Sequence, residues 1–112
     1  PWAQVLGSDE AVDDMVTYVQ SLSGMVDASA VKDSAKTQFT TFCAACHMPT
    51  GVGNPVLGAP NLTDDIWLYG SDADTIRTAI VQGRNGQMPA HGEFLGENRT
   101  RILAAYVKSL SQ

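Results

Sequence analysis

The chain has 112 residues and a formal net charge of −5, which is enough length for one domain with a modest core and too little for two. Its apolar runs fall far short of the roughly 20 residues that cross a bilayer, so we expect this stretch to be soluble and any membrane anchor to lie outside it. It has no basic stripe for binding nucleic acid, and because it opens with neither Met nor a signal peptide, we expect a mature or excised piece.

The first predicted element is a helix over residues 9–22 whose sequence returns near the end of the chain. VTYVQSLS at residues 16–23 reappears as AAYVKSLS at residues 104–111, and both copies are preceded by a segment running from Pro through Leu-Gly. This internal repeat predicts that residues 1–23 are the closing helix of a preceding domain and residues 24–112 a whole second domain of the same kind. The alternative is that two amphipathic helices resemble each other by chance.

The apolar face of this first helix needs a partner. It includes Val12, Met15, Val19 and Leu22, and exposing such a face to water is unfavourable. We expect it to pack on the rest of the chain in cis or to pair antiparallel with a second copy, because the acids at residues 9–14 would repel across a parallel pair.

Four further helices, and no strand, are predicted along the rest of the chain. They lie over residues 31–46, 63–69, 71–82 and 98–110. Thr63 and Asn98 are the expected caps of two of them, and Ser71 with Asp74 is expected to form a capping box. The Gly and Pro content of residues 48–61 predicts an irregular loop. The sequence therefore predicts an all-α protein.

The chain's two cysteines lie in the segment Cys43-Ala-Ala-Cys46-His47. Two thiols one helical turn apart can add to the two vinyl groups of a porphyrin, and the adjacent His then reaches the iron, so this spacing indicates covalent attachment of a c-type haem. A structural zinc site is an alternative, but beyond this segment only His91 offers a good further ligand. A thioredoxin-like dithiol would need a strand before it, and a simple disulfide is the remaining alternative.

Met88 is the candidate for the sixth ligand of the iron. It lies in the loop GRNGQMP, whose glycines and proline favour an irregular course that could cross the far face of a haem. Of the other methionines, Met48 adjoins His47, Met15 belongs to the first helix and Met25 to the linker. A neutral thioether favours reduced iron, so His and Met ligation implies a comparatively high potential. His91 is the rival sixth ligand.

These residues resemble the class I cytochrome c family, and the resemblance extends from about Ala30 to Leu110. Phe39 matches the family aromatic that packs the N-terminal helix across the C-terminal helix, where Leu103 and Tyr106 match its contacts; Ala35 stands where the family usually has Gly. Pro60 resembles the family proline whose carbonyl accepts a hydrogen bond from the ligating His. The resemblance implies a class I cytochrome c fold around one covalently bound haem, with an extra N-terminal helix.

More narrowly, the segments GAPNLTDDIWLYG, GRNGQMPA and AAYVKSLS resemble the second haem domain of the dihaem subunit of cbb-type haem-copper oxidases. That resemblance implies a periplasmic electron relay in a respiratory chain, without catalysis of its own, whose parent subunit is anchored in the bacterial inner membrane. The implied partners are a neighbouring haem c domain and the oxidase catalytic subunit, or a soluble cytochrome donor. In this setting Trp67 and Arg84 are candidates for lining the haem and holding a propionate.

Two other functions agree with the same residues. The first is a haem sensor in which a diatomic ligand replaces Met88 on ferrous iron. The second is the electron-entry domain of a periplasmic dehydrogenase or of a soluble dihaem cytochrome.

Overall fold

The computed structural model describes residues 2–111. Within that range the regular structure is helical, and the only β-type pairing is an isolated bridge between Asn54 and Ala59. The all-α prediction is therefore confirmed. None of the described helices is both long and apolar enough to cross a membrane.

Six α-helices follow one another in the described part of the chain. They are α1 Ala3–Leu6, α2 Asp9–Leu22, α3 Asp33–Gln38, α4 Ala44–His47, α5 Ala73–Gln82 and α6 Gly92–Ser109. The π-helical turn Phe39–Cys43 joins α3 to α4 with right-handed helical angles at both junctions, so residues 33–47 form one composite helix. The hydroxyls of Thr40 and Thr41 donate to carbonyls four residues earlier, at 2.9 and 2.8 Å, a contact that loosens the regular helical ladder.

Helix α2 begins and ends where the sequence predicted. The Ser8 hydroxyl accepts a hydrogen bond from the backbone N–H of Ala11 at 3.1 Å and so caps the first turn. One face of the helix is buried, and its members are Val12, Met15, Val16 and Val19. The expected cis packing is present in the structure.

The core lies where α2 meets the composite helix and α5. The rings of Tyr18 and Phe39 meet edge to face with their centroids 5.0 Å apart, and burial raises the pKa of the Tyr18 hydroxyl. Ala35 is fully buried, so the methyl group at this position is accommodated. On the other side of α2, Val16 and Val19 pack with Ile76 of α5.

Ion pairs join the acids of α2 to two cations of the domain on which it packs. Arg77 of α5 contacts Asp9 at 2.7 Å and Asp13 at 3.1 Å. Lys32 contacts two further acids of α2, Glu10 at 2.8 Å and Asp14 at 3.0 Å, and these two carboxylates raise the pKa of Lys32. Most of these charged groups are solvent-exposed, with Arg77 and Asp14 partly buried, so each pair contributes little. Together the pairs place the acidic residues of α2 against Lys32 and Arg77.

The predicted helix over residues 63–69 is wrong, and so are the predicted caps: Thr63 begins no helix, and Asn98 lies within α6 and not at its start. Side-chain oxygens of Asn61 and Asp64 accept hydrogen bonds from backbone N–H groups two residues ahead, at 2.9 and 3.0 Å. These turns take up the donors that a helix would need, so the segment forms bends instead. Helix α5 is capped by Asp72, which accepts from the N–H of Thr75 at 2.9 Å, and not by Ser71.

The expected crossing of Phe39 with Leu103 and Tyr106 is also wrong, because α2 occupies that position. Helix α6 begins at Gly92, earlier than predicted, and breaks at Gly96, where φ is 73°. No residue of α6 is buried, and 43% of Leu103 and 60% of Tyr106 are exposed. Within residues 2–111, the hydrogen bonds and ion pairs of α6 stay within its own neighbourhood.

Candidate haem site

The segment Cys43–His47 lies at the end of the composite helix, which fixes how its side chains are presented. Cys43 is half-buried, Cys46 is exposed, and both are free thiols. Their spacing places them about one helical turn apart on the same face. Burial, with a smaller contribution from the neighbouring Cys46, raises the pKa of the Cys43 thiol.

The ring of His47 is oriented by a backbone carbonyl. Nδ1 of His47 lies 3.0 Å from the carbonyl oxygen of Pro60, which is the contact that the family resemblance implied. A carbonyl only accepts, so Nδ1 carries the proton and Nε2 keeps a free lone pair. Such an outer contact fixes the tautomer and direction of a metal-ligating imidazole.

The loop that follows His47 is folded tightly enough to place the Pro60 carbonyl. Met48 turns the chain with a positive φ of 65°, the only non-glycine residue with a positive φ in the described range. The N–H of Gly53 then donates to the His47 carbonyl at 2.9 Å, and Asn54 and Ala59 exchange backbone hydrogen bonds at 2.9 and 3.0 Å. A Cβ atom on Gly53 would lie 2.6 Å from backbone atoms of residues 59–61, so only glycine fits there.

Met88 does not lie at this site. It lies in an irregular segment between α5 and α6, and 88% of its surface is exposed. Among the alternatives, Met15 is 1% exposed in the core and Met25 is half-exposed in the linker. The imidazole of His91 contacts the carbonyl of Pro89 through Nδ1 at 2.6 Å.

The two candidate propionate partners differ in their surroundings. Nε1 of Trp67 is buried without a hydrogen-bond partner, while the ring packs beside the cluster of α2 and α5. The Arg84 guanidinium lies over the Tyr69 ring, 4.7 Å from its centroid. An unpaired indole N–H is a donor suited to a carboxylate, so Trp67 fits a haem propionate as well as it fits the core.

Taken together, the residues fit one side of a haem c. Both thiols and the oriented imidazole lie together at the end of the composite helix, the unpaired indole N–H of Trp67 is buried beside the cluster of α2 and α5, and Met88 is exposed in the segment before α6. Sequence reasoning missed two contributors, the positive φ of Met48 and the contact of Tyr18 with Phe39. The internal repeat carried a signal for the second, since it aligns Tyr18 with Tyr106.

Comparison with known proteins places this site in a family. The model of the family described as cytochrome c oxidase, cbb3-type, subunit III matches residues 30–107. The chain is 46% identical over 108 residues to the cbb3-type cytochrome c oxidase subunit FixP of Bradyrhizobium diazoefficiens, covering 95% of this chain and 37% of that protein. It is 42% identical over 106 residues to subunit CcoP of Rhodobacter capsulatus, covering 88% and 36%.

The match to FixP of Azorhizobium caulinodans is similar, at 45% identity over 101 residues, 88% of this chain and 34% of that protein. The chain thus spans about a third of the length of the curated relatives that it matches. Because the family model covers well over half of the chain, the chain belongs to the family of subunit III of the cbb3-type cytochrome c oxidases.

Proposed function

We propose that this chain is a haem c domain that relays single electrons in a cbb3-type oxidase. The family implies covalently bound haem c, for which Cys43 and Cys46 are the attachment residues and His47 and Met88 the axial ligands. The observation that carries the proposal is the contact of His47 Nδ1 with the Pro60 carbonyl at 3.0 Å, at the end of the helix that presents both thiols.

Each residue has a defined task in this proposal. Haem, when bound, supplies the exchange of one electron between ferrous and ferric iron. The Pro60 carbonyl keeps the proton on Nδ1 of His47 and raises the basicity of Nε2. The indole N–H of Trp67 and the guanidinium of Arg84 donate to the haem carboxylates. With both axial positions assigned, no group of the site is left for catalysis.

The setting of the domain follows from its relatives. Their names describe subunits of cbb3-type oxidases, so we assign the domain a place between an electron donor and the catalytic subunit of such a complex. The donor is a neighbouring haem c domain or a soluble cytochrome. We place the domain in the periplasm, on a parent subunit anchored in the bacterial inner membrane, with residues 1–23 contributed by a preceding cytochrome c domain.

Covalent attachment is the direct test. The chain is produced in a host that matures c-type cytochromes, then denatured and extracted with acidified organic solvent. Haem should stay on the unmodified chain, and Cys43→Ser or Cys46→Ser should weaken its retention. Complete extraction from the unmodified chain would rule out the assignment.

A gas-binding role is the second candidate, and the exposure of Met88 favours it. The two functions differ in the reduced state. If Met88 ligates the iron, Met88→Ala should let the reduced protein bind carbon monoxide readily and should lower its potential. If the reduced protein still binds carbon monoxide as readily as its Met88→Ala variant when residues 1–23 are removed from both, the gas-binding function is the better description.

A further inference from the structure

Within residues 2–111, the two helices of the internal repeat, α2 and α6, have a single groove in which either could pack. The groove runs along the composite helix and α5, and α2 fills it, with Tyr18 against Phe39 and Val19 near Ile76. Helix α6 does not pack in a groove, and its apolar side chains are exposed. On its repeated part these are Ile102, Leu103, Tyr106 and Val107, followed by Leu110 just beyond its end.

The internal repeat makes the two helices equivalent residue by residue at the contacts that matter. Aligning VTYVQSLS with AAYVKSLS pairs Tyr18 with Tyr106, and the same alignment pairs Met15 with Leu103. It also pairs Val19 with Val107 and Leu22 with Leu110. The exposed face of α6 therefore carries counterparts of the side chains that α2 packs into the groove, where Met15 and Val19 are buried and Tyr18 and Leu22 partly buried.

The differences between the copies explain why α2 is the occupant. Where α2 buries Val12 and Val16, α6 has Thr100 and Ala104, so α6 removes less apolar surface from water. The charges act in the same direction. Asp13 pairs with Arg77 at 3.1 Å, whereas the equivalent residue of α6 is Arg101, which would repel Arg77.

We propose that α2 and α6 are alternative occupants of this groove, and that Met88 can ligate haem iron only when α6 is the occupant. The second half of this proposal rests on the proposed function, because it needs the haem; the first half does not. When the groove holds α2, the domain exposes Met88. When another groove takes up α2, as a preceding domain of the same kind would provide, α6 closes the domain and the thioether can reach the iron.

The link between α6 and Met88 follows from the chain between them. With α6 released, the segment that carries Met88 is held at one end only, where Arg84 lies over Tyr69. Seating α6 would also hold the other end. The preceding segments of the two copies are alike, and in the first copy Leu6 is buried and the N–H of Trp2 donates to the Ile80 carbonyl at 2.9 Å. The second copy can follow this path.

Equivalent substitutions in the two copies test the competition. Met15→Asp places a charge at a position that is 1% exposed, and Leu103→Asp is its matched control in α6. We follow backbone hydrogen exchange on the haem-loaded full chain. Met15→Asp should slow exchange in residues 100–109 by at least about tenfold, the factor that corresponds to about 1.4 kcal/mol, while Leu103→Asp alone should leave residues 10–21 unchanged.

The double variant Met15→Asp, Leu103→Asp distinguishes replacement of α2 by α6 from a general loss of stability. If α6 takes the groove in Met15→Asp, adding Leu103→Asp should unfold the domain, and the two effects should be strongly non-additive. If α6 cannot bind in the groove, exchange in residues 100–109 stays fast in Met15→Asp, and adding Leu103→Asp causes no further loss of stability. That result would overturn the proposal.

A milder substitution provides a second test in case the Met15→Asp protein does not fold. Arg77→Glu would repel Asp9 and Asp13 of α2, whereas the equivalent residues of α6, Glu97 and Arg101, carry one charge of each sign. Arg77→Gln is the neutral control. Exchange should become faster in residues 10–21 and slower in residues 100–109, by more in Arg77→Glu than in Arg77→Gln. Faster exchange in α2 with no change in α6 would contradict the competition.

The haem spectrum tests the second half separately. Variants that protect α6 should gain the sulfur-to-ferric-iron charge-transfer band, and Met88→Ala should abolish it in the same background. Protection of α6 without the band would support the exchange of helices but refute Met88 as the ligand, and with it that part of the proposed function. Protection that grows with protein concentration would show that a second copy supplies the groove and would refute exchange within one chain.

Discussion

At the scale of single residues, Gly53 decides where the Pro60 carbonyl lies and hence which way His47 points. Gly53 and Gly58 both have positive φ, 79° and 68°. A Cβ atom on Gly53 would meet backbone at 2.6 Å, whereas Gly58 has open space around it. A substitution at Gly58 therefore introduces only the strain of a left-handed backbone, whereas one at Gly53 also introduces a steric clash.

We expect Gly53→Ala to lower the free energy of unfolding by at least about 1 kcal/mol more than Gly58→Ala. A non-glycine residue at positive φ costs roughly 1 kcal/mol in both variants. Only Gly53→Ala must also displace the backbone segment that carries Pro60. Urea unfolding gives the energies, and the Nδ1–H resonance of His47 reports the contact. Equal losses in the two variants would show that the close approach does not hold the loop.

Asp72 gives the stability of α5 a dependence on pH. The hydrogen bonds that its carboxylate accepts from Thr75 hold the pKa of Asp72 below the ordinary value of 3.8. Because the pKa is lower in the folded state, the contribution is present above the ordinary value and is lost as the pH falls through the folded pKa.

Asp72→Asn should therefore change the shape of the stability profile only in acid. Asn also caps helices but does not titrate. The difference in unfolding free energy between the unmodified protein and Asp72→Asn should stay constant above about pH 5 and shift in favour of the variant below about pH 4. The measurement is urea unfolding at a series of pH values, with Ser71→Ala as the control for a residue that does not cap. Parallel profiles would mean that Asp72 does not act as a charged cap.

At the scale of elements, the two copies of the closing helix should respond differently to the same mutation. Val19 is buried in α2, and its equivalent Val107 is exposed in α6. Val19→Ala should lower the unfolding free energy by about 2 kcal/mol through lost burial and the cavity it leaves, and Val107→Ala by less than about 0.5 kcal/mol. The reverse order would show that α6, and not α2, fills the groove in solution.

The elements that the sequence predicted well are those with strong local signals. Helix α2 combines a Ser8 cap, acids in its first turn and a regular apolar period, and its predicted bounds agree with the structure. The helix over residues 63–69 failed because Asn61 and Asp64 bind nearby backbone N–H groups, and periodicity does not register that competition.

The site was predictable in part, for a similar reason. The order Cys43, Cys46, His47 is local, and the resemblance implied the contact of His47 with Pro60. The crossing partner of Phe39 depends on which of two similar helices is bound more strongly. Which helix packs on Phe39 depends on the difference between the free energy of packing α2 in the groove and that of packing α6 there. Neither the motif nor the family resemblance gives this difference. Met88 shares this dependence, because its segment leads into α6.

At the scale of the whole molecule, the released α6 makes the protein elongated. The radius of gyration of the Cα atoms is 17.3 Å, and the principal extents are 54 × 29 × 24 Å. A compact domain of this length would have a radius of gyration of about 13 Å. The excess comes from α6, since the other helices pack on one core.

Small-angle scattering of the haem-loaded chain tests both this shape and the domain boundary near Gly24. The unmodified protein should have a radius of gyration near the 17.3 Å of the structure. Removing residues 1–23 empties the groove, so α6 should fold back into it and give a compact domain of about 12 Å that keeps its haem. Leu103→Asp in the shortened chain should block this closure, because the aspartate would have to enter the apolar groove. If the shortened chain unfolds or loses its haem without that substitution, residues 1–23 are part of this domain and the boundary near Gly24 is wrong.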